Sequence, residues 1–129
     1  MKKIISVIVL TLILIAGVII EQVYLEKTIA TLNEKVIFLD NLITNAEDIN
    51  NTEIITAVYD LDEFWSKNEK IMGLAINHNE IIKIGEQIKK IEVYIKSNNK
   101  IDCEYELKTL VYYAESYNLI YAITAGNVL

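Results

Sequence analysis

The chain has no proline, no arginine, one cysteine, one histidine, one tryptophan and four glycines in 129 residues. Each shortage excludes something. Without proline, and with so little glycine, the chain lacks the turn chemistry of a β-sandwich and the repeat of a collagen. One cysteine, Cys103, cannot close an intramolecular disulfide and is too few for a thiolate metal site. With 12 lysines against 18 acids the formal charge is −6. That sign repels a phosphate backbone, so no nucleic acid is expected as a partner. Nucleophile elbows, phosphate-cradling glycine loops and CxxC pairs are all missing, so the expectation is a non-enzymatic protein without catalytic residues, metal or other cofactors.

What the chain has is apolar surface. It is 53% hydrophobic, with a mean hydropathy of +0.29, which sets it apart from disordered sequences. Residues 4–20 form one uncharged run. As a helix it spans roughly 26 Å, against about 30 Å for the hydrocarbon core of a bilayer. Extension through Tyr24 closes the gap, with Lys2 and Lys3 at one interface and Tyr24 at the other. The run is longer than a secretory signal core, and no small-x-small pair follows it. A cleaved signal and a buried core helix are the competing readings; an uncleaved signal anchor is the expected one. Its positive start keeps the N-terminus cytoplasmic and sends the rest across. The expected organisation is a cytoplasmic 1–3, a transmembrane 4–24 and an extracytoplasmic domain over 25–129. From residue 21 onward, ten lysines against 18 acids leave a formal charge of −8. Such a surface gives no reason to adhere to anionic lipid, so the membrane contact expected is the anchor itself.

The rest reads as helices. Leu25, Ile29, Leu32, Val36, Leu39, Ile43 and Ala46 alternate steps of four and three, a single apolar stripe that Phe38 and Leu42 widen. Residues 47–51 form a polar turn. A second helix starts near Thr52, with Asn50 and Glu53 spaced as a capping box, and buries Ile54, Val58, Leu61, Trp65 and Met72. A second turn over 77–79 carries another such spacing, Asn77 with Glu80. The third helix buries Ile81, Ile84, Ile88, Ile91 and Ile95 and turns Lys83, Glu86, Lys89, Lys90 and Glu92 outward. After the turn 97–100, Cys103, Leu107, Leu110, Ala114, Tyr117 and Tyr121 line the fourth helix, with Gly126 as its cap. None of these helices is stable alone. Joined by short turns, they predict an all-α fold: a transmembrane helix continuing into an up-and-down bundle of about four helices.

A few side chains stand out as interaction candidates. His78 suits a ligand or a base, but a di-iron bundle needs two Glu-x-x-His pairs, and position 75 is Ala. The simpler role is a helix-start residue hydrogen-bonded across the hairpin, next to Glu80. Trp65 is expected in the core, with Asn68 one turn on to receive its indole N–H. Tyr112, Tyr113, Tyr117 and Tyr121 crowd the last helix: an aromatic contact surface, or a wide buried face with ordinary exposed rings. Cys103 is expected to be buried.

The Lys-Lys start, Trp65-x-x-Asn68, Asn77-His78-x-Glu80-Ile81-x-x-Ile84, Tyr94-Ile95, Glu106-Leu107-x-x-Leu110 and the Asn127-Val128-Leu129 end together resemble the bacterial family called domain of unknown function 4363, found mainly in clostridia and related spore-formers. The resemblance covers nearly the whole chain. Members often carry an acid before the His and further acids after the Glu; Asn77, Ile81 and Ile82 stand there in this sequence, which argues against a metal site at the hairpin. The resemblance implies a small single-pass protein with no assigned activity, and a multi-pass membrane protein as partner.

Two functions are expected to compete. One is a membrane-anchored interaction module contacting a neighbouring membrane protein. The other is a sensor-like bundle holding a small amphiphile between its helices, which requires an apolar cavity lined by Trp65 and tyrosines. A homodimer through the stripe from Leu25 to Ala46 is a further expectation.

Overall fold

A computed structural model describes the backbone of residues 1–128 and the side chains of residues 1–74 and 76–117. Four helices follow one another: α1 (Lys2–Asn45), α2 (Thr52–Ala75), α3 (His78–Lys96) and α4 (Lys100–Val128). There is no strand among the described residues. α1 packs on α2 and α4, and α3 packs on the same two, so the helices form a square whose neighbours along each side are in close backbone contact.

α1 has two parts in one unbroken helix. Its 44 residues extend about 66 Å. The side chains of residues 1–20 are all exposed, and the helix is long and apolar enough there to cross a membrane. None of that apolar window is buried in the bundle, so it is not a core helix of this chain. From Leu25 the heptad stripe takes over. Leu25, Ile29, Leu32, Val36, Leu39 and Ile43 are all buried against α2 and α4 of the same chain. Phe38, expected to widen the stripe, is exposed; Leu42 is half-buried.

The other stripes meet it. Ile54, Val58, Leu61, Trp65 and Met72 come from α2, the five isoleucines from α3, and Cys103, Leu107, Leu110 and Ala114 from α4. Burial pushes the Cys103 thiol up to about 12, so it packs as a small apolar group. A polar tie links the middle of α3 to α4: Gln87 Nε2 donates to the Glu106 carbonyl at 2.8 Å and also to the Glu106 carboxylate.

The turns depart from expectation in instructive ways. Asn51, not Asn50, caps α2 and accepts from the Ile54 amide at 3.0 Å. Asn50 instead donates to the Lys96 carbonyl across the molecule. The 47–51 turn is not wholly polar either, because Ile49 is fully buried as a plug. Its amide donates to Asn98 Oδ1 at 3.0 Å. Asn98 has φ 52°, the left-handed conformation that ends α3. The Asn98 amide bonds Ile95 O and the Asn99 amide bonds Tyr94 O, the paired bonds of a Schellman cap. Lys100 Nζ then reaches the Ala46 carbonyl at 2.5 Å, where the negative end of the α1 dipole lies. The two turns at this end are therefore laced together. At the opposite end Asn77 caps α3 through the Asn79 amide, but Glu80 does not reach back to it. α4 runs past Gly126 to Val128, so that glycine does not cap it.

Candidate functional site

α2 and α3 leave a groove between their outer edges. Helical spacing puts Asp62, Trp65, Ser66 and Glu69 on one wall, and Ile82, Gly85, Lys89 and Val93 on the other. Its volume is about 670 Å³. The indole of Trp65 forms part of the floor and is only 2% exposed. Its Nε1 is buried and has no hydrogen-bond partner among the described residues. Asn68, the expected acceptor, is engaged elsewhere: it accepts from the Tyr24 hydroxyl and donates to the Phe64 carbonyl.

Gly85 stands over that indole edge. A Cβ added there would lie 3.5 Å from Trp65 Nε1, 3.7 Å from Cδ1 and 3.8 Å from Glu69 Oε2. These are ordinary contacts, and Gly85 does not have a positive φ. Alanine therefore fits both the backbone and the space. Glycine inside a helix costs about 1 kcal/mol relative to alanine.

A charge cluster bridges the two walls. Lys89 Nζ pairs with Asp62 at 2.7 Å and lies 4.0 Å from Glu92. Glu92, expected to face outward, is buried, and its Oε1 has no hydrogen-bond partner among the described residues. Burial, then the Asp62 carboxylate beside it, holds the Glu92 carboxyl above its ordinary range. The hydrogen bond to Asp62 raises Lys89 in turn.

Towards the α2–α3 hairpin a second recess of about 430 Å³ shares Glu69 and Ile82 with the first and is lined by His78. His78 is exposed and forms no hydrogen bond with the described residues, so the expected bond across the hairpin is not made. Glu80 turns away from it: Tyr117 donates its hydroxyl to Glu80 Oε2 at 2.8 Å, and this bond holds the Glu80 carboxyl below its ordinary range. No group of three or more His, Cys, Asp or Glu among the described residues is arranged to hold a metal ion.

The tyrosines do not join this groove. Tyr112 is exposed, Tyr113 is half-buried 6.2 Å from it, and Tyr117 is half-buried. The Tyr121 side chain lies outside the described residues. Ile101, Tyr105 and Tyr112 are exposed four and seven residues apart, an apolar and aromatic face on α4. A tyrosine of α3, Tyr94, lines the α2–α3 groove together with Trp65.

Gly85, Glu92 and Ile49 were not legible as special. A glycine in the middle of a strong isoleucine stripe is the one local mark Gly85 leaves. Glu92 carries a subtler one, standing four after Ile88 and three before Ile95, on the flank of the buried face.

No curated protein and no solved structure matches the chain significantly. One family model does, over residues 19–127, from the end of the exposed apolar run of α1 into the last turn of α4. The chain belongs to the family described as domain of unknown function (DUF4363).

Proposed function

We propose that this protein is a membrane-tethered, non-enzymatic interaction module, with its N-terminus cytoplasmic and its bundle extracytoplasmic. One observation carries the reading: the exposed apolar residues 4–20 and the buried stripe from Leu25 belong to a single helix. A chain with that helix gains by burying the apolar half in lipid, at about 25 cal/mol per Å² removed from water. Lys2 and Lys3 favour the cytoplasmic side for the N-terminus. The α4 face bearing Ile101, Tyr105 and Tyr112 is the contact surface, because exposed tyrosines of this kind are enriched where proteins meet. A neighbouring membrane protein is the partner.

Fractionation of cells tests the anchor. Full-length chain is expected with membranes and a chain lacking residues 4–20 in the soluble fraction; both in the soluble fraction defeats anchoring. A photocrosslinker in place of Tyr112 is expected to capture an integral membrane protein. Membrane localisation without any such adduct, from Tyr105 as well as Tyr112, defeats the contact surface.

A further inference from the structure

We propose that the α2–α3 groove is a binding site for a small uncharged amphiphile, whose oxygen acceptor takes the Trp65 indole N–H through a notch left open by Gly85. The inference goes beyond the tethering role and does not depend on it.

Three independent features converge on that spot. The first is an orphan donor. Buried N–H groups are nearly always paired, and an unpaired one calls for an explanation. Trp65 Nε1 is buried and has no partner among the described residues, while Asn68, the acceptor expected from the helical spacing, is committed to Tyr24 and Phe64. The second is the glycine. Nothing in the backbone or the packing requires it, since a Cβ would meet only ordinary contacts. What a Cβ would do is occupy the space 3.5 Å from the indole nitrogen. The third is the groove. Its volume of about 670 Å³ falls within the range of small-molecule sites. Ile82, Val93 and Tyr94 give it apolar and aromatic walls, and both aliphatic residues are exposed.

The chemistry of the rim selects the ligand. Asp62, Glu69 and Glu86 stand there with Lys89 and Lys90, and Lys89 is already paired with Asp62. With Lys89 held by Asp62, an anionic ligand would meet the carboxylates of Glu69 and Glu86 against the ammonium of Lys90 on this rim. The donor at the floor asks for a lone pair, not for a charge. A ketone, amide or ether oxygen on an apolar body meets both demands.

The single tryptophan makes the test direct. The full-length chain, labelled with ¹⁵N-tryptophan and held in lipid nanodiscs, gives one indole resonance. It is titrated with cyclohexanone, and with chlorocyclohexane as a ring without an oxygen acceptor. Cyclohexanone is expected to move the indole proton downfield saturably, and chlorocyclohexane is not. Gly85→Ala is expected to keep the helix content and weaken the response at least tenfold. Ser66→Leu, which blocks the groove from the α2 side, is a second variant with the same expected outcome. No saturable shift in the wild type overturns the proposal, as does an equal response in both folded variants. An equal response to chlorocyclohexane removes the acceptor. An indole proton already downfield without probe, moving back upfield in Glu69→Ala, overturns it too, because the N–H would then have an internal partner.

Discussion

The Tyr24 hydroxyl donates to Asn68 Oδ1, joining the first turn of the packed half of α1 to α2 forty-four residues later. Asn68 completes the link by donating to Phe64 O at 2.8 Å. Tyr24→Phe removes a partly buried hydrogen bond and is expected to cost about 1 kcal/mol. For a domain of this size that lowers the melting temperature by roughly 4–8 °C. Asn68→Leu is expected to cost more, since it strands the Tyr24 hydroxyl. The double variant should cost less than the sum of the two, and thermal melts followed by circular dichroism measure all three.

Asn98 holds a left-handed backbone and accepts the Ile49 amide with the same side chain. Asn98→Gly keeps the backbone free of strain and loses the bond. Asn98→Ala loses the bond and adds about 1–2 kcal/mol of left-handed strain. Denaturant titration should therefore rank wild type above Asn98→Gly, and Asn98→Gly above Asn98→Ala; equal midpoints for the two variants would contradict this account of the turn.

Ile49 lies in a turn but is packed like a core residue. Ile49→Ala is expected to cost about 2–5 kcal/mol, as for core isoleucines. Ile101→Ala, at a side chain 82% exposed, should stay within about 0.5 kcal/mol. The same denaturant series reads both.

Glu92 makes stability depend on pH in an unusual direction. Its carboxyl is held above the ordinary range by burial and then by Asp62, so the folded protein binds this proton more tightly than the unfolded chain. The resulting stabilisation is fully present below the ordinary carboxylate range and is lost as pH rises through the raised value. Glu92→Gln should remove that slope and be more stable than the wild type at neutral pH. Melting temperatures taken from pH 4 to 8 for both proteins should diverge as pH rises; parallel curves would show that Glu92 ionises without penalty.

The Cys103 thiol is buried and pushed up to about 12. Maleimide labelling of the native chain at pH 7 should be undetectable on a timescale that labels the denatured chain completely, because only the exposed thiolate reacts.

The core was legible because steps of three and four put side chains on one face of a helix whatever the surroundings. Every stripe residue from Leu25 to Ile43, and each of Ile81, Ile84, Ile88, Ile91 and Ile95, is buried as that spacing requires, while Ile82, off the stripe, is exposed. Turns have no such period. Two adjacent asparagines gave no means of choosing the cap, and Ile49 looked isolated because its neighbours come from the other end of α3. Glu92 shows the complementary failure: its charge argued for solvent, while its position beside Ile88 and Ile95 decided its burial. The candidate groove was less legible still. It depends on which edges of α2 and α3 meet, and on Asn68 being claimed by Tyr24, a partner on another helix.

α1 passes from its apolar half into the bundle with no joint. Any tilt of the first half is therefore a tilt of the second by the same angle, and a rotation about the axis turns every face of the square together. The laced turns, about 30 Å beyond Leu25 along that axis, sweep the widest arc. Were residues 4–20 held in a bilayer as proposed, their tilt would set the heading of the whole bundle.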